Sequence, residues 1–93
     1  MKQTKPFYTL NTIIYRKYPG RSRFQRRIVL EAEGPNFGEF LSNAQVVTLV
    51  AHAGKKSWTE VSRAFLQGSD TPEYIYNAAA DAIEDFILQR DIA

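Results

Sequence analysis

Ninety-three residues suffice for one domain with one modest core and are too few for two. Apolar residues at 44 % and charged residues at 24 % mark a folded globular domain and exclude a disordered chain. The absence of cysteine excludes disulfides, thiolate metal sites and cysteine nucleophiles.

The longest apolar stretch, residues 44–53, is broken by Gln45, Thr48 and His52. It falls far short of the ~20 residues that a membrane-spanning helix needs. The N-terminus has no apolar signal core, so the expected location is cytoplasmic and no membrane partner is expected. The net charge of +2 conceals a division. Residues 1–30 hold Lys2, Lys5, Arg16, Lys17, Arg21, Arg23, Arg26 and Arg27 and no acid, whereas residues 31–93 hold ten acids against Lys55, Lys56, Arg63 and Arg90, a balance of −6. A patch of like charge costs self-repulsion, and a polyanion or an acidic partner is the usual reason to keep one.

In chain order, residues 7–17 and 23–33 read as the two strands of an antiparallel hairpin. Tyr8, Leu10 and Ile14 recur at period two in the first. Phe24, Ile28, Leu30 and Ala32 line one face of the second, opposite Gln25, Arg27, Glu31 and Glu33. Pro19-Gly20 between them supplies turn chemistry. Six cations then crowd the tip and the adjoining strand ends. Continued alternation sends Phe7, Thr9, Asn11, Ile13, Tyr15 and Lys17 to the face away from the helices.

Gly34-Pro35-Asn36 ends the hairpin. Residues 37–53 fit a helix, with Asn36 as cap, Glu39 at the capping-box position, and Gly54 followed by Lys55-Lys56 as the stop. The alternative is a third strand at about 45–52, where Val46-Val47-Thr48-Leu49-Val50 is dense in β-branched residues. Ser57-x-x-Glu60 resembles a capping box opening a helix with Trp58, Val61 and Phe65 on one face and Gly68 as its stop. Thr71-Pro72-Glu73 opens a last helix whose stripe is Ile75, Ala79, Ala82, Ile83 and Phe86, running to about Arg90. The expected architecture is α+β: one domain over residues 1–93, its basic hairpin at 7–33 packed on two or three helices within 37–90.

Residues 54–65, GKKSWTEVSRAF, are similar to the second-helix region of Myb/SANT-like domains. Phe40, Trp58 and Tyr76 stand 18 and 18 residues apart, like the regularly spaced bulky aromatics of that family, and Ala64 and Gly68 stand four apart, as in many helix-turn-helix units. The resemblance covers residues 37–90 and implies a three-helix bundle with a helix-turn-helix second half. Its third helix departs from the DNA-binding pattern, carrying Glu73, Asp81, Glu84 and Asp85 where phosphate-facing cations belong. The resemblance is therefore closer to the acidic, protein-binding members.

Catalytic signals are absent. His52 is the one histidine, Ser57, Ser62 and Asp81 have no triad spacing, and no phosphate loop or metal motif occurs. No cofactor and no metal is expected. The leading expectation is non-catalytic nucleic-acid binding, with Arg16, Lys17, Arg21, Arg23, Arg26 and Arg27 on phosphates and Tyr15 and Tyr18 stacking. The alternative is a protein-interaction module or small inhibitor that uses the basic hairpin on an acidic partner and Asp81, Glu84 and Asp85 on a basic one. A second copy of the chain, joined hairpin to helix, is a further candidate partner.

Overall fold

The computed structural model describes residues 7–17, 23–52, 54–68 and 70–92. Two strands, β1 (Tyr8–Lys17) and β2 (Phe24–Gly34), are followed by a short helix α1 (Phe37–Asn43). Two more strands, β3 (Gln45–His52) and β4 (Thr59–Phe65), precede the long helix α2 (Glu73–Ile92). The sheet is antiparallel throughout, in the order β1-β2-β3-β4. The α+β class is as expected, with an N-terminal antiparallel hairpin packed on helices.

The core forms where β2 meets both helices. Leu30 and Ala32 from β2, Phe40 and Ala44 from α1 and its end, Leu66 just past β4, and Ala79 and Ile83 from α2 are all buried together. Tyr8, Leu10 and Ile14 of β1 close over this cluster, as their period predicts. The helix α2 runs antiparallel to β1: Tyr74 meets Tyr15 edge to face at 5.7 Å, and sixteen residues later the Arg90 guanidinium lies 4.8 Å from the Tyr8 ring. Its main contacts are with β1 and α1, so the helix side of β3 and β4 is left open.

The bundle expected from the Myb/SANT resemblance does not form. Asn36 does cap a helix, its side chain accepting from the Glu39 amide at 3.0 Å. That helix stops at Asn43, Ala44 is extended, and the β-branched run pairs with β2 as a third strand. The local caps were compatible with a long helix. Pairing with β2 on one edge and β4 on the other outweighs them, because together they satisfy the backbone groups of a segment whose side chains already favour strand. Gly54 does take a left-handed conformation (φ 84), but in the β3–β4 turn closed by Lys55 N–H to the His52 carbonyl.

Residues 57–68 are likewise not a helix: Thr59–Phe65 is β4. Glu60 does not reach back to a helix cap; it pairs with Arg63. Of the three aromatics spaced at 18, Phe40 is in the core and Tyr76 packs against it, but Trp58 lies on the sheet face away from α2. The final helix forms as read, with Ile75, Ala79 and Ile83 buried.

Two one-residue irregularities govern which way side chains point. In β1 the register passes from Ile13 opposite Val29 to Tyr15 opposite Ile28, so Ile14 is an extra residue. In β4 it passes from Ser62 opposite Thr48 to Glu60 opposite Leu49, so Val61 is extra. A bulge of this kind resets the alternation of faces beyond it.

The end of β2 approaches α1 closely at Gly34, whose φ is +149 and whose absent Cβ would lie 2.6 Å from Glu39 Cβ. Gly34→Ala should therefore lose more than about 1 kcal/mol in urea unfolding. Gly38→Ala, inside α1 with nothing nearer than 3.5 Å, should gain about 0.5–1 kcal/mol.

Candidate functional site

The hairpin pairing sets cation against cation. Arg16 is directly opposite Arg27, and Lys17 is directly opposite Arg26. Because of the bulge at Ile14, the two pairs point to different sides of the sheet. Arg26 lines a cleft with Ile28 and Tyr74 on the α2 side, and Lys17 shares that side. Arg27 lines the opposite face with Ile13 and Val29, and Arg16 shares that one.

Tyr15 and Lys17, expected on the helix-free face, are thus on the α2 side, and Tyr15 is committed to Tyr74. Arg23 is exposed at the start of β2. Tyr18 and Arg21, with the Pro19-Gly20 turn, lie outside the described residues.

Antiparallel topology brings a second group to the same end of the sheet. Phe24 pairs with His52, their rings 4.5 Å apart, so the β3–β4 connection leaves from beside the start of β2. Exposed Lys55 and Lys56 stand on that connection. Trp58 follows, with the Arg27 guanidinium 4.1 Å from its ring, a cation–π contact. Lys55, Lys56, Trp58, Phe24 and His52 all lie outside the expected binding set. A sequence cue existed only in the Lys-Lys pair, which reads equally well as helix-end complementation. Among the described residues, Arg16, Lys17, Arg23, Arg26, Arg27, Lys55 and Lys56 form no ion pair. The Nε atoms of Arg26 and Arg27 are buried without a hydrogen-bond acceptor.

The other half of the helix-free face is neutralised. Arg63 donates from Nη1 to Glu31 and to Gln45, both at 2.6 Å, and from Nη2 and Nε to the two oxygens of Glu60 at 2.8 and 3.2 Å. Glu60 and Arg63 are three residues apart and would point to opposite sides of a regular strand; the extra residue Val61 puts them on one side. Hydrogen bonding from Arg63 holds the Glu60 carboxyl below its usual range, and Glu60 followed by Glu31 holds the Arg63 guanidinium above its own. Around this network Val29 and Val47 are buried although no helix covers them: the long stems of Arg27 and Arg63 lie beside them on the same face.

The remaining candidates are dispersed. Asp81, Glu84 and Asp85 are exposed on the side of α2 away from Ile75, Ala79 and Ile83, and none is in an ion pair among the described residues. Ser62 sits opposite Thr48, four residues along β3 from His52, and no side-chain hydrogen bond joins His52 to Ser57, Ser62 or Asp81 among the described residues. Among those residues no group of three His, Asp or Glu is placed to hold a metal ion, and no helix is long and apolar enough to cross a membrane. No protein-family model matches the chain, and no curated protein or solved structure is significantly similar to it.

The Glu60 carboxylate contributes stability in full above its unfolded pKa, near 4.5, and loses it as pH falls through the lower folded value. Glu60→Gln should therefore unfold at lower urea than the parent at pH 7, and the gap should close as the pH is taken well below 4.5. Opposing like charges predict the reverse sign at the other end. Arg16→Glu should raise stability by about 0.2–1 kcal/mol at low salt, with the gain shrinking as salt is added.

Proposed function

We propose that this protein is a non-catalytic nucleic-acid-binding domain whose contact surface is the basic end of the sheet. The observation that carries this reading is the pair of like-charge oppositions, Arg16 with Arg27 and Lys17 with Arg26, none of them in an ion pair among the described residues. Cross-strand partners of equal charge destabilise a hairpin. A polyanion removes the repulsion and releases its own counterions. The topology supports this surface further by adding Lys55 and Lys56, and by setting the exposed Phe24–His52 ring pair and Trp58 among the cations. Rings of this kind stack on unpaired bases, a role for which Tyr15 is unsuited once packed on Tyr74.

Phosphate contacts position and do not specify, so sequence preference should be slight. With six cations engaged, log K against log salt should have a slope of up to about −5. Arg16, Arg23, Lys55 and Lys56 are all exposed, so replacing the four with Glu should abolish binding while thermal unfolding shows an intact fold. A salt-independent affinity for single- and double-stranded probes alike would refute the proposal.

A protein-interaction module is the second reading, favoured by the exposed carboxylates Asp81, Glu84 and Asp85 on α2. It requires binding that depends on those three residues and a preparation free of material absorbing at 260 nm. The nucleic-acid reading requires neither.

A further inference from the structure

The two edges of the sheet are unlike. The β1 edge is flanked by α2 and carries Arg16 and Lys17, cations that discourage strand addition. The β4 edge carries no helix, no lysine and no proline, and every residue from Thr59 to Phe65 is exposed. Val61 and Phe65 are 58 % and 57 % exposed, which is high for apolar residues within a sheet. Its outward backbone groups are a template for another strand.

The sequence of that edge is complementary to itself. Antiparallel pairing about a two-fold axis between Val61 and Ser62 sets Glu60 opposite the partner's Arg63 and Trp58 opposite the partner's Phe65. It also sets Thr59 opposite the partner's Ala64 and Val61 opposite the partner's Ser62. Opposed residues must lie on the same side of a sheet. Outside the central Val61–Ser62 pair they do: Glu60, Arg63 and Phe65 pair with Leu49, Val47 and Gln45 on the helix-free face, and Trp58 joins them there through Arg27. Thr59, Ser62 and Ala64 pair with Val50, Thr48 and Val46 on the α2 side. A shift of one residue either way would oppose Thr59 to the partner's Phe65 or Arg63, across the sheet. The bulge at Val61 is what makes the fitting register possible, because without it Glu60 and Arg63 would face opposite ways.

We infer that two copies of this chain join through β4 into one eight-stranded sheet with both long helices on the same side. Each Arg63, already bonded to its own Glu31 and Glu60, gains the partner's Glu60, and two aromatic pairs close over the seam. Such an isologous contact closes on itself, unlike a hairpin-to-helix contact, which would propagate. The open floor of Thr48, Ser62 and Ala64 beside α2 becomes continuous with the same floor in the partner, a cleft of about 590 Å³ in each chain.

Sedimentation equilibrium should give twice the chain mass of 10.6 kDa, with little change on adding salt. Val61→Lys, at an exposed position, should return a monomer with unchanged circular dichroism and a melting temperature that no longer rises with protein concentration. The register has its own test, since the chain has no cysteine. Thr59→Cys copies mixed with Ala64→Cys copies should be joined by a short bifunctional thiol reagent, whereas either variant alone should not. A monomer at every concentration tested, a dimer indifferent to Val61→Lys, or cross-linking within either single variant would each overturn the inference.

Discussion

The sheet's exposed chemistry depends on strand parity, and two extra residues decide that parity. A strand without irregularity sends alternate side chains to alternate faces, so one inserted residue exchanges the faces for everything beyond it. In β1 the insertion at Ile14 turns Tyr15 inward to Tyr74 and moves Arg16 out beside Arg27. In β4 the insertion at Val61 brings Glu60 and Arg63 to one side, where Arg63 ties three strands together through Glu31, Gln45 and Glu60. Were Ile14 and Val61 paired in register instead of inserted, Arg16 would lie on the α2 side, and Glu60 and Arg63 would face opposite ways.

A single long helix is the second constraint. The twenty residues of α2 can cover only one side of the β1–β2 half of a four-stranded sheet. The uncovered side compensates with long polar side chains lying over small apolar ones, as Arg63 does beside Val47 and Arg27 beside Val29. On the helix side of β3 and β4 no such cover exists, and small residues, Thr48, Ser62 and Ala64, line an open cleft.

β1, β2 and the β3–β4 connection contribute cations that form no ion pair among the described residues, whereas Glu31 and Glu60 are held by Arg63. The difference is physical. Arg63 lies within reach of three acceptors at once, whereas Arg16 and Lys17 are opposed by two more cations.

Much of the architecture was legible in the residues. Period-two patterning around a Pro-Gly turn marked the hairpin, and Thr-Pro-Glu before an apolar stripe marked α2, in each case to within two residues. These segments are decided locally, by alternation, turn chemistry and helix entry. Residues 45–52 and 57–68 were not decided that way. Both carry credible helix caps, yet both are strands or turn, because an open edge of β2 and then of β3 offers backbone pairing that local sequence does not reveal. The bulges at Ile14 and Val61 are likewise products of register between two strands, so the facing of Tyr15 and Lys17 could not be read from β1 alone. The chain by itself therefore determined the α+β class, the hairpin, the last helix and the division of charge. Only tertiary pairing decided which segments joined the sheet, which cations share a face, and that the connection carrying Lys55, Lys56 and Trp58 leaves beside the start of β2, since each depends on contacts between residues far apart in sequence.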